Sequence, residues 1–261
     1  MRALERAYTP ERARLLEATP VPALAALVAA WGLATLTLPA PAARGVGLAA
    51  AHGGLLGTAL AWTGSDRARE RWAPLEAALL LGAATLCARL LPGGVVAYLA
   101  VPAWLLWRRA DWRRPGAEHG RAALAGALFG LALGLHLLVN ASLTLGFHVR
   151  PGRLADLLPW FAYDLGANVL AAEAFFRAGL FTRAHRRWPF AAAAALSTAA
   201  SLARYLVDPL LPRTPEILAG ATFYLAVLGG GNCWLLARHG SLGGPIAAGL
   251  MFFAAYRLLA R

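Results

Sequence analysis

The chain has 261 residues, 59% of them hydrophobic, and a formal net charge of +12. Soluble domains contain about 45–50% apolar residues, and here the apolar residues form long blocks, which excludes an ordinary soluble domain and predicts a helical membrane protein. The positive charge lies in short segments between the blocks without any nucleic-acid-binding motif, so nucleic acid is not an expected partner.

Residues 1–19 alternate arginine, glutamate, leucine and alanine, which predicts a short cytoplasmic segment at the membrane interface. Nine apolar blocks follow, at about 21–42, 45–63, 74–91, 93–107, 122–147, 159–181, 188–207, 215–236 and 242–259. A span needs about 20 residues, so the predicted fold is an all-α polytopic membrane protein with about eight or nine transmembrane helices. The fourth block is short and contains Pro102, which leaves a full span and a bent or re-entrant segment as alternatives.

Arginine placement predicts the orientation. With a cytoplasmic N-terminus, sixteen arginines fall in cytoplasmic segments and five in outside segments, the bias of the positive-inside rule. All 25 basic residues are arginine, which is typical of a GC-rich genome, and we expect a multi-pass protein of a prokaryotic cell membrane. The predicted organisation is an interfacial segment (1–19), an N-terminal transmembrane half (20–107), a cytoplasmic loop (108–121) and a C-terminal transmembrane core (122–261).

Two glycine patterns predict close packing. Gly126, Gly130 and Gly134 form a doubled GxxxG in the fifth block, a spacing that lets another helix backbone approach. Whether the partner helix is internal or belongs to a second subunit stays open at this point. The run 229–231 lacks the sequence of a phosphate-binding loop and predicts close packing or a helix break.

The sixth block carries four polar residues, although each ionisable group in a span costs about 2.5–3.5 kcal/mol on insertion scales. Glu173 and Arg177 are spaced for an ion pair, and Asp164 and Asn168 for a shared hydrogen bond. On an ideal α-helix, Asp164 and Glu173 are about 180° apart. These residues are either a structural network or a polar site reached by water.

Cofactor chemistry is not predicted. The histidines show no HxxxH, HExxH or paired spacing, and Cys87 and Cys233 form no CxxC pair, so neither a metal nor a disulfide framework is expected. His136, four residues before Asn140, is expected to be a hydrogen-bonded core residue. The expected partners are membrane lipids and either another membrane protein or a second copy of the chain.

The stretch LAAEAFFRAGL at 170–180 resembles the first motif of the CPBP family of intramembrane proteases, the CAAX-protease and bacteriocin-processing (Abi) family. That motif is Glu-Glu, three residues and Arg, usually with Phe before the Arg. The stretch RHGSLGGPIAA at 238–248 is similar to the segment that leads into the family's last motif. The resemblance covers about residues 122–257 and implies a CPBP-like C-terminal helical core.

The first motif departs from the family pattern at one position. In the family, the first glutamate of the pair activates water. Counting back from Arg177 places that position at Ala172, while Glu173 matches the second glutamate. The resemblance therefore implies that Glu173 and Arg177 hold the helix rather than activate water.

The other two motifs also lack their histidines. Arg204 or Tyr205 stands where the family's second motif has its histidine, and Gly249 and Phe253 stand for the histidine and the Asn or Asp of the third. Hydrolysis of an amide needs a base for the water and donors for the oxyanion. Glycine and phenylalanine side chains supply neither.

The sequence thus favours a catalytically inactive CPBP-like protein that acts as a scaffold or regulator of a membrane partner. One alternative is an active glutamic-type endopeptidase with a rearranged site, using Glu173 as base with Asp164 or Tyr205. A second alternative is a small transporter or lipid-handling protein, in which a polar path is lined by Arg89, Asp164, Glu173, Arg177 and Arg204. No single residue is confidently assigned as catalytic; the residual candidates are Glu173 and Arg177, then Asp164, Asn168, Arg204 and Tyr205.

Overall fold

The structure is a computed structural model that describes residues 15–64, 70–108, 110, 112, 117–149, 154–206 and 214–260. These residues are almost entirely helical, which confirms the all-α prediction. The α-helices are α1 (Val21–Thr37), α2 (Ala40–Thr63), α3 (Ala73–Leu90), α4 (Ala100–Trp107), α5 (His119–Thr144), α6 (Leu154–Tyr163), α7 (Val169–Glu173), α8 (Thr182–His185), α9 (Phe190–Leu206), α10 (Pro215–His239) and α11 (Gly243–Tyr256).

Four of the described helices are long and apolar enough to cross a membrane: α2, α3, α5 and α10. Large leucines on the helix surfaces, such as Leu36 and Leu143, are at least 80% exposed, as expected where lipid rather than water covers the protein. The chain therefore has the character of a helical membrane protein. The expected total of eight or nine spans stays a prediction.

The boundary between the first two helices differs from the sequence prediction. The first block was expected to continue to residue 42, but α1 ends at Thr37 and α2 begins at Ala40. Pro39 and Pro41 explain the shift, because proline lacks an N–H group and is tolerated only in the first turn of a helix.

The fourth block forms two short helical segments. A 3₁₀-helix over Gly94–Leu99 continues into the eight-residue α4. At rises of roughly 2.0 and 1.5 Å per residue, the two pieces together extend about 24 Å. That is less than the bilayer core of about 30 Å, and the full span and the bent or re-entrant segment both stay predictions for this block.

The described residues form two compact units. The first unit contains the described chain up to Trp112 together with Ala162–Phe175. Its centre is the pair α2 and α3, which pack backbone against backbone at two glycines. A Cβ atom at Gly53 would lie 2.5 Å from Ala78 Cα, and one at Gly57 would overlap the backbone of Pro74. This is a second GxxxG pair, visible in the sequence by its spacing.

The start of the predicted cytoplasmic loop is held to the first unit. Arg108 is only 3% exposed and donates hydrogen bonds to Glu70 at 2.7 Å and to Glu76 at 2.5 Å. Its guanidinium also lies 4.9 Å from the centre of the Trp104 ring. Trp112 Nε1 donates to Thr63 Oγ1 at 3.0 Å. The predicted interfacial helix at 1–19 lies mostly outside the described residues.

The second unit contains residues 113–161 and 176–260 as far as they are described. The doubled GxxxG of α5 packs on α11 of the same chain. A Cβ atom at Gly126 would overlap the Gly244 carbonyl, one at Gly130 the Ala248 carbonyl, and one at Gly134 would lie 2.5 Å from Ala255 Cβ. The question of the glycine partner is thereby answered: it is internal.

Two further contacts complete the second unit. The glycine run at 229–231 lies inside the unbroken helix α10, and a Cβ atom at Gly231 would overlap the Phe129 ring of α5, so the run serves close packing and not a break. After α5, the short strand β1 (His148–Val149) pairs antiparallel with β2 (Leu259–Ala260). The residues that follow α11 are thereby tied to those that follow α5.

Candidate functional site

The polar residues of the sixth block lie in a succession of helical segments that is not regular α-helix. Between α6 and α7 the backbone is π-helical over Asp164–Asn168, and between α7 and α8 it is π-helical over Ala174–Phe181. π-Helical turns are rare and frequently mark functional sites. The sequence predicted an ordinary span here, since no residue pattern reports a π-turn.

The first π-helical segment buries a hydrogen-bonded carboxylate in the first unit. Asp164 and Asn168 are both buried, and Asn168 Nδ2 donates to Asp164 Oδ1 at 3.0 Å. The hydrogen bond predicted from their spacing is confirmed. This hydrogen bond offsets part of the free-energy cost of burying an acidic group in apolar surroundings.

A buried histidine lies beside this segment. His52 of α2 and Tyr163, the residue before Asp164, are hydrogen-bonded through Nε2 and Oη at 3.1 Å. The Tyr163 ring stands edge-on to the Tyr98 ring at 5.3 Å, and Tyr98 Oη lies 2.9 Å from Thr85 Oγ1. The sequence placed His52 in a glycine-rich span but gave no sign of its tyrosine partner, because the two are far apart in the chain.

Glu173 closes α7 immediately before the second π-helical segment. Its side chain is buried, as is Ala172, which occupies the position of the family's water-activating glutamate. The predicted ion pair between Glu173 and Arg177 stays a prediction. The angle of 180° between Asp164 and Glu173 assumed a regular α-helix, and the π-helical turn after Asp164 removes that assumption.

Arg177, in the second unit, is 2% exposed and held by one serine of α9. Its Nη1 donates to Ser197 Oγ at 2.6 Å and to the Ser197 carbonyl at 3.3 Å. Ser197 Oγ in turn donates to the Phe176 carbonyl at 2.6 Å. Since the serine proton is committed to a carbonyl, Ser197 positions the arginine and is not set up as a nucleophile.

Side-chain hydroxyl groups add hydrogen bonds to carbonyls of the second π-helical segment. Thr182 Oγ1 donates to the Arg177 carbonyl, five residues earlier, at 2.9 Å. Ser197 Oγ donates to the neighbouring Phe176 carbonyl. The widened turn is therefore stabilised by specific hydroxyl groups.

Gly229 of α10 leaves room for the Arg177 guanidinium. A Cβ atom at Gly229 would lie 2.8 Å from Thr198 Cγ2 and 3.2 Å from Arg177 Nη2. Any side chain there would press on both α9 and the guanidinium. The first glycine of the run thus belongs to the arginine site, a role that the sequence did not reveal.

Arg204 and Tyr205 lie in the last turn of α9. The Arg204 guanidinium is 4.5 Å from the centre of the Tyr205 ring, and that ring lies 5.8 Å from the Phe253 ring of α11. Gly249, one turn earlier on α11, is buried. The structure therefore brings together the α9 and α11 positions that stand for the second and third family motifs.

Among the described residues, no group of three or more His, Cys, Asp or Glu side chains converges as a metal site would require. The two cysteines are not joined in a disulfide; Cys87 is partly and Cys233 fully buried. His136 does form the predicted hydrogen bond, to Tyr224 Oη at 2.8 Å, but its ring is exposed and it is not a core residue. The contact joins α5 to the buried Tyr224 of α10.

An arginine-rich segment ends the helical succession. Arg186 follows α8, and desolvation by burial lowers its pKa to about 10. The group still carries its charge at neutral pH. A charged arginine at this end of the apolar run agrees with a position at the membrane surface.

Comparisons with protein-family models, with curated proteins and with solved structures find no match for this chain. The resemblance to the CPBP family therefore rests on the residues described above and on where the structure places them.

Proposed function

We propose that the chain is a CPBP-like membrane protein that has no peptidase activity and acts as a scaffold or regulator of a membrane partner. Under this proposal, the buried Arg177 and Glu173 keep the shape of the former active-site helix. Ala172 takes the place of the base that would activate water.

One observation carries the proposal: the contact between Tyr205 and Phe253. The resemblance assigns these two positions to different motifs, so their proximity supports the alignment of α9 and α11 with the family's core. The Phe253 side chain, which stands where the third motif has its Asn or Asp, supplies neither a base nor an oxyanion donor to this contact. An aromatic contact fits a packing surface better than a hydrolytic centre.

The same proposal includes the location. The arginine bias supports a cell-membrane protein, of a prokaryote, with its N-terminus in the cytoplasm. The expected partners are lipids and a second membrane protein. The element formed by the 3₁₀-helix and α4 bears on this orientation, because the arginine count assumes that it crosses, and a segment that does not cross would invert the helices after it.

A second candidate function is an active endopeptidase that uses Glu173 with Asp164. The two π-helical segments on either side of Glu173 favour it, because such turns re-aim side chains and recur at functional sites. Both carboxyl groups are buried in the first unit.

A peptidase assay separates the two candidates. The purified full-length chain in detergent is incubated with a prenylated peptide and with a library of membrane-segment peptides, and cleavage is followed by mass spectrometry. The scaffold proposal expects no cleavage above that of Glu173→Gln. Cleavage by the natural chain that is lost in Glu173→Gln contradicts the scaffold and supports the enzyme.

The scaffold proposal also predicts a stable complex with a partner protein. Chemical cross-linking in native membranes followed by purification should yield a stoichiometric complex with one membrane protein. The variant Tyr205→Ala, which removes one ring of the aromatic contact, should reduce that yield at unchanged expression. Recovery of the natural chain free of any stoichiometric partner contradicts the proposal.

A further inference from the structure

One cavity lies apart from the site described above, in the first unit. Its volume is about 350 Å³, within the usual size range of ligand pockets. Its walls come from the turn before α1, the last turns of α2 and the start of α3. It is lined by Ala18, Thr19, Pro20, Pro22, Ala61, Glu70, Arg71 and Trp72.

The charges in this cavity are not equivalent. Glu70 is committed to Arg108, which donates to it at 2.7 Å. Arg71 is exposed, and within the described part of the chain its guanidinium makes no hydrogen bond or ion pair. The charge available to a ligand is therefore positive, with the planar donor fork that matches phosphate oxygens.

Trp72 fixes the place of this arginine. The Arg71 guanidinium lies 5.2 Å from the centre of the Trp72 ring, a cation–π distance. The ring and the proline and alanine side chains make most of the rest of the wall apolar. Among the described residues that line it, the cavity is thus amphipathic, with the Arg71 cation at a largely apolar surface.

The cavity lies at the level expected for lipid headgroups. Two of the helices able to cross a membrane, α2 and α3, end and begin beside it. The junction of two spans lies at the headgroup region, and basic pockets on the cytoplasmic side are typical sites for anionic lipids. The arginine bias assigns this end of α2 and α3 to the cytoplasm.

The turn before α1 is strained where it lines the cavity. Ala18 has φ of 59°, the left-handed region that alanine rarely adopts. Thr19 holds the turn, because its hydroxyl donates to the Leu16 carbonyl at 2.6 Å and accepts from Trp62 Nε1 at 3.2 Å. Backbone strain of this kind recurs at ligand-binding positions.

We propose that this cavity binds an anionic phosphate group through Arg71, either the headgroup of an anionic phospholipid or a free phosphate. The phosphate oxygens accept hydrogen bonds from the Arg71 guanidinium. The glycerol portion of a lipid would lie against Trp72 and the two prolines. The inference holds whether or not the chain cleaves peptides.

Trp62 connects this site to the helical segments that carry the buried polar residues. The Trp62 ring stacks on Phe175 at 5.1 Å, two residues beyond Glu173 and within the same unit. Trp62 therefore contacts both Thr19 in the cavity wall and the segment that carries the buried carboxylate.

The test is a titration of the full-length chain in detergent, with bound ligand counted by native mass spectrometry. The probes are dihexanoyl phosphatidylglycerol, the zwitterionic dihexanoyl phosphatidylcholine and inorganic phosphate. Saturable binding of the glycerol lipid, with phosphatidylcholine and inorganic phosphate weaker, identifies a lipid headgroup as the source. Inorganic phosphate that binds as tightly as the lipid identifies a free phosphate instead.

Substitutions of Arg71 test whether this side chain binds the phosphate group. Arg71→Gln should weaken binding about 10- to 100-fold, the value of a charge-assisted hydrogen bond. Arg71→Lys should bind with an affinity between those of the natural chain and Arg71→Gln, because lysine keeps the positive charge but lacks the planar donor fork of arginine. Arg121→Gln is the matched control, since Arg121 is a 78% exposed arginine in the first turn of α5 and far from the cavity in sequence.

Three results would overturn the proposal: equal binding of all probes at non-saturating levels, unchanged binding in Arg71→Gln, or the same loss in Arg121→Gln. Thermal unfolding of each variant without ligand shows that the fold is intact. If Arg71→Gln unfolds, Trp72→Phe, which keeps an aromatic face, and Trp72→Leu, which does not, give the second comparison. Equal affinity in these two variants counts against the proposal.

Discussion

The energetic cost of close packing can be measured at three neighbouring glycines of α10, because substitutions at these positions are compared within one helix. Gly229, Gly230 and Gly231 share one helix, but their surroundings differ. A Cβ atom at Gly230 would meet no other atom within 4 Å, whereas one at Gly229 would lie 2.8 Å from Thr198 Cγ2. That is about 0.7–1.2 Å inside the optimal carbon–carbon separation of about 3.5–4.0 Å.

The expected difference in the free energy of unfolding between the variants follows from two terms. Replacing glycine by alanine in a helix gains about 1 kcal/mol of propensity, and this gain is common to both positions. Overpacking costs about 1–3 kcal/mol and applies to Gly229→Ala alone. Gly230→Ala should therefore be more stable than Gly229→Ala by about 1–3 kcal/mol, while Gly231→Ala should also be destabilised unless the Phe129 ring shifts.

The assay is reversible unfolding in mixed micelles, which gives the free energy of unfolding of each variant. A site-specific readout accompanies it, because Gly229→Ala presses on the Arg177 guanidinium and should increase amide hydrogen exchange around Ser197. Free energies for Gly229→Ala and Gly230→Ala that agree within about 0.5 kcal/mol would refute the packing assignment of α10 on α9.

Three further predictions use the same unfolding measurement. Ser197→Ala should cost about 1.5–3 kcal/mol because a buried guanidinium loses an acceptor, whereas Ser201→Ala on the same helix should cost less than about 1 kcal/mol; equal costs would contradict the role of Ser197. Arg108→Met should cost about 1–3 kcal/mol by leaving two carboxylates without their cation, and Arg121→Met, an exposed arginine, less than about 1 kcal/mol; a reversed order would show that the loop is not anchored by Arg108. Gly57→Ala should cost about 1–3 kcal/mol or more, since its Cβ would overlap backbone atoms of α3, and a stabilised variant would disprove the backbone contact between α2 and α3.

The helices could be predicted from the sequence because lipid imposes a strong rule on composition. Blocks of apolar residues between arginine-rich segments gave every long helix, and the doubled GxxxG of α5 indicated a packing face before its partner was known. The spacing of Asp164 and Asn168 gave their hydrogen bond, because four residues is a local distance within one helical segment.

The site could be predicted only in part, because its decisive contacts join distant residues. Nothing in the sequence pairs His52 with Tyr163, or Arg177 with Ser197, since each pair is set by the packing of separate helices. The π-helical turns were missed for another reason. They widen the helix without changing its apolar composition, so the angular argument for Asp164 and Glu173 used the wrong period.

The glycine contact of α5 with α11 has a consequence for biosynthesis. About 100 residues separate the end of α5 from the start of α11, so at about 5–20 residues per second the ribosome delivers the partner some 5–20 s after α5 is complete. During that interval the small-residue face of α5 has no α11 to cover it, whereas α2 meets α3 almost at once. A chain truncated before Gly243 would lack α11 and would leave this face of α5 uncovered.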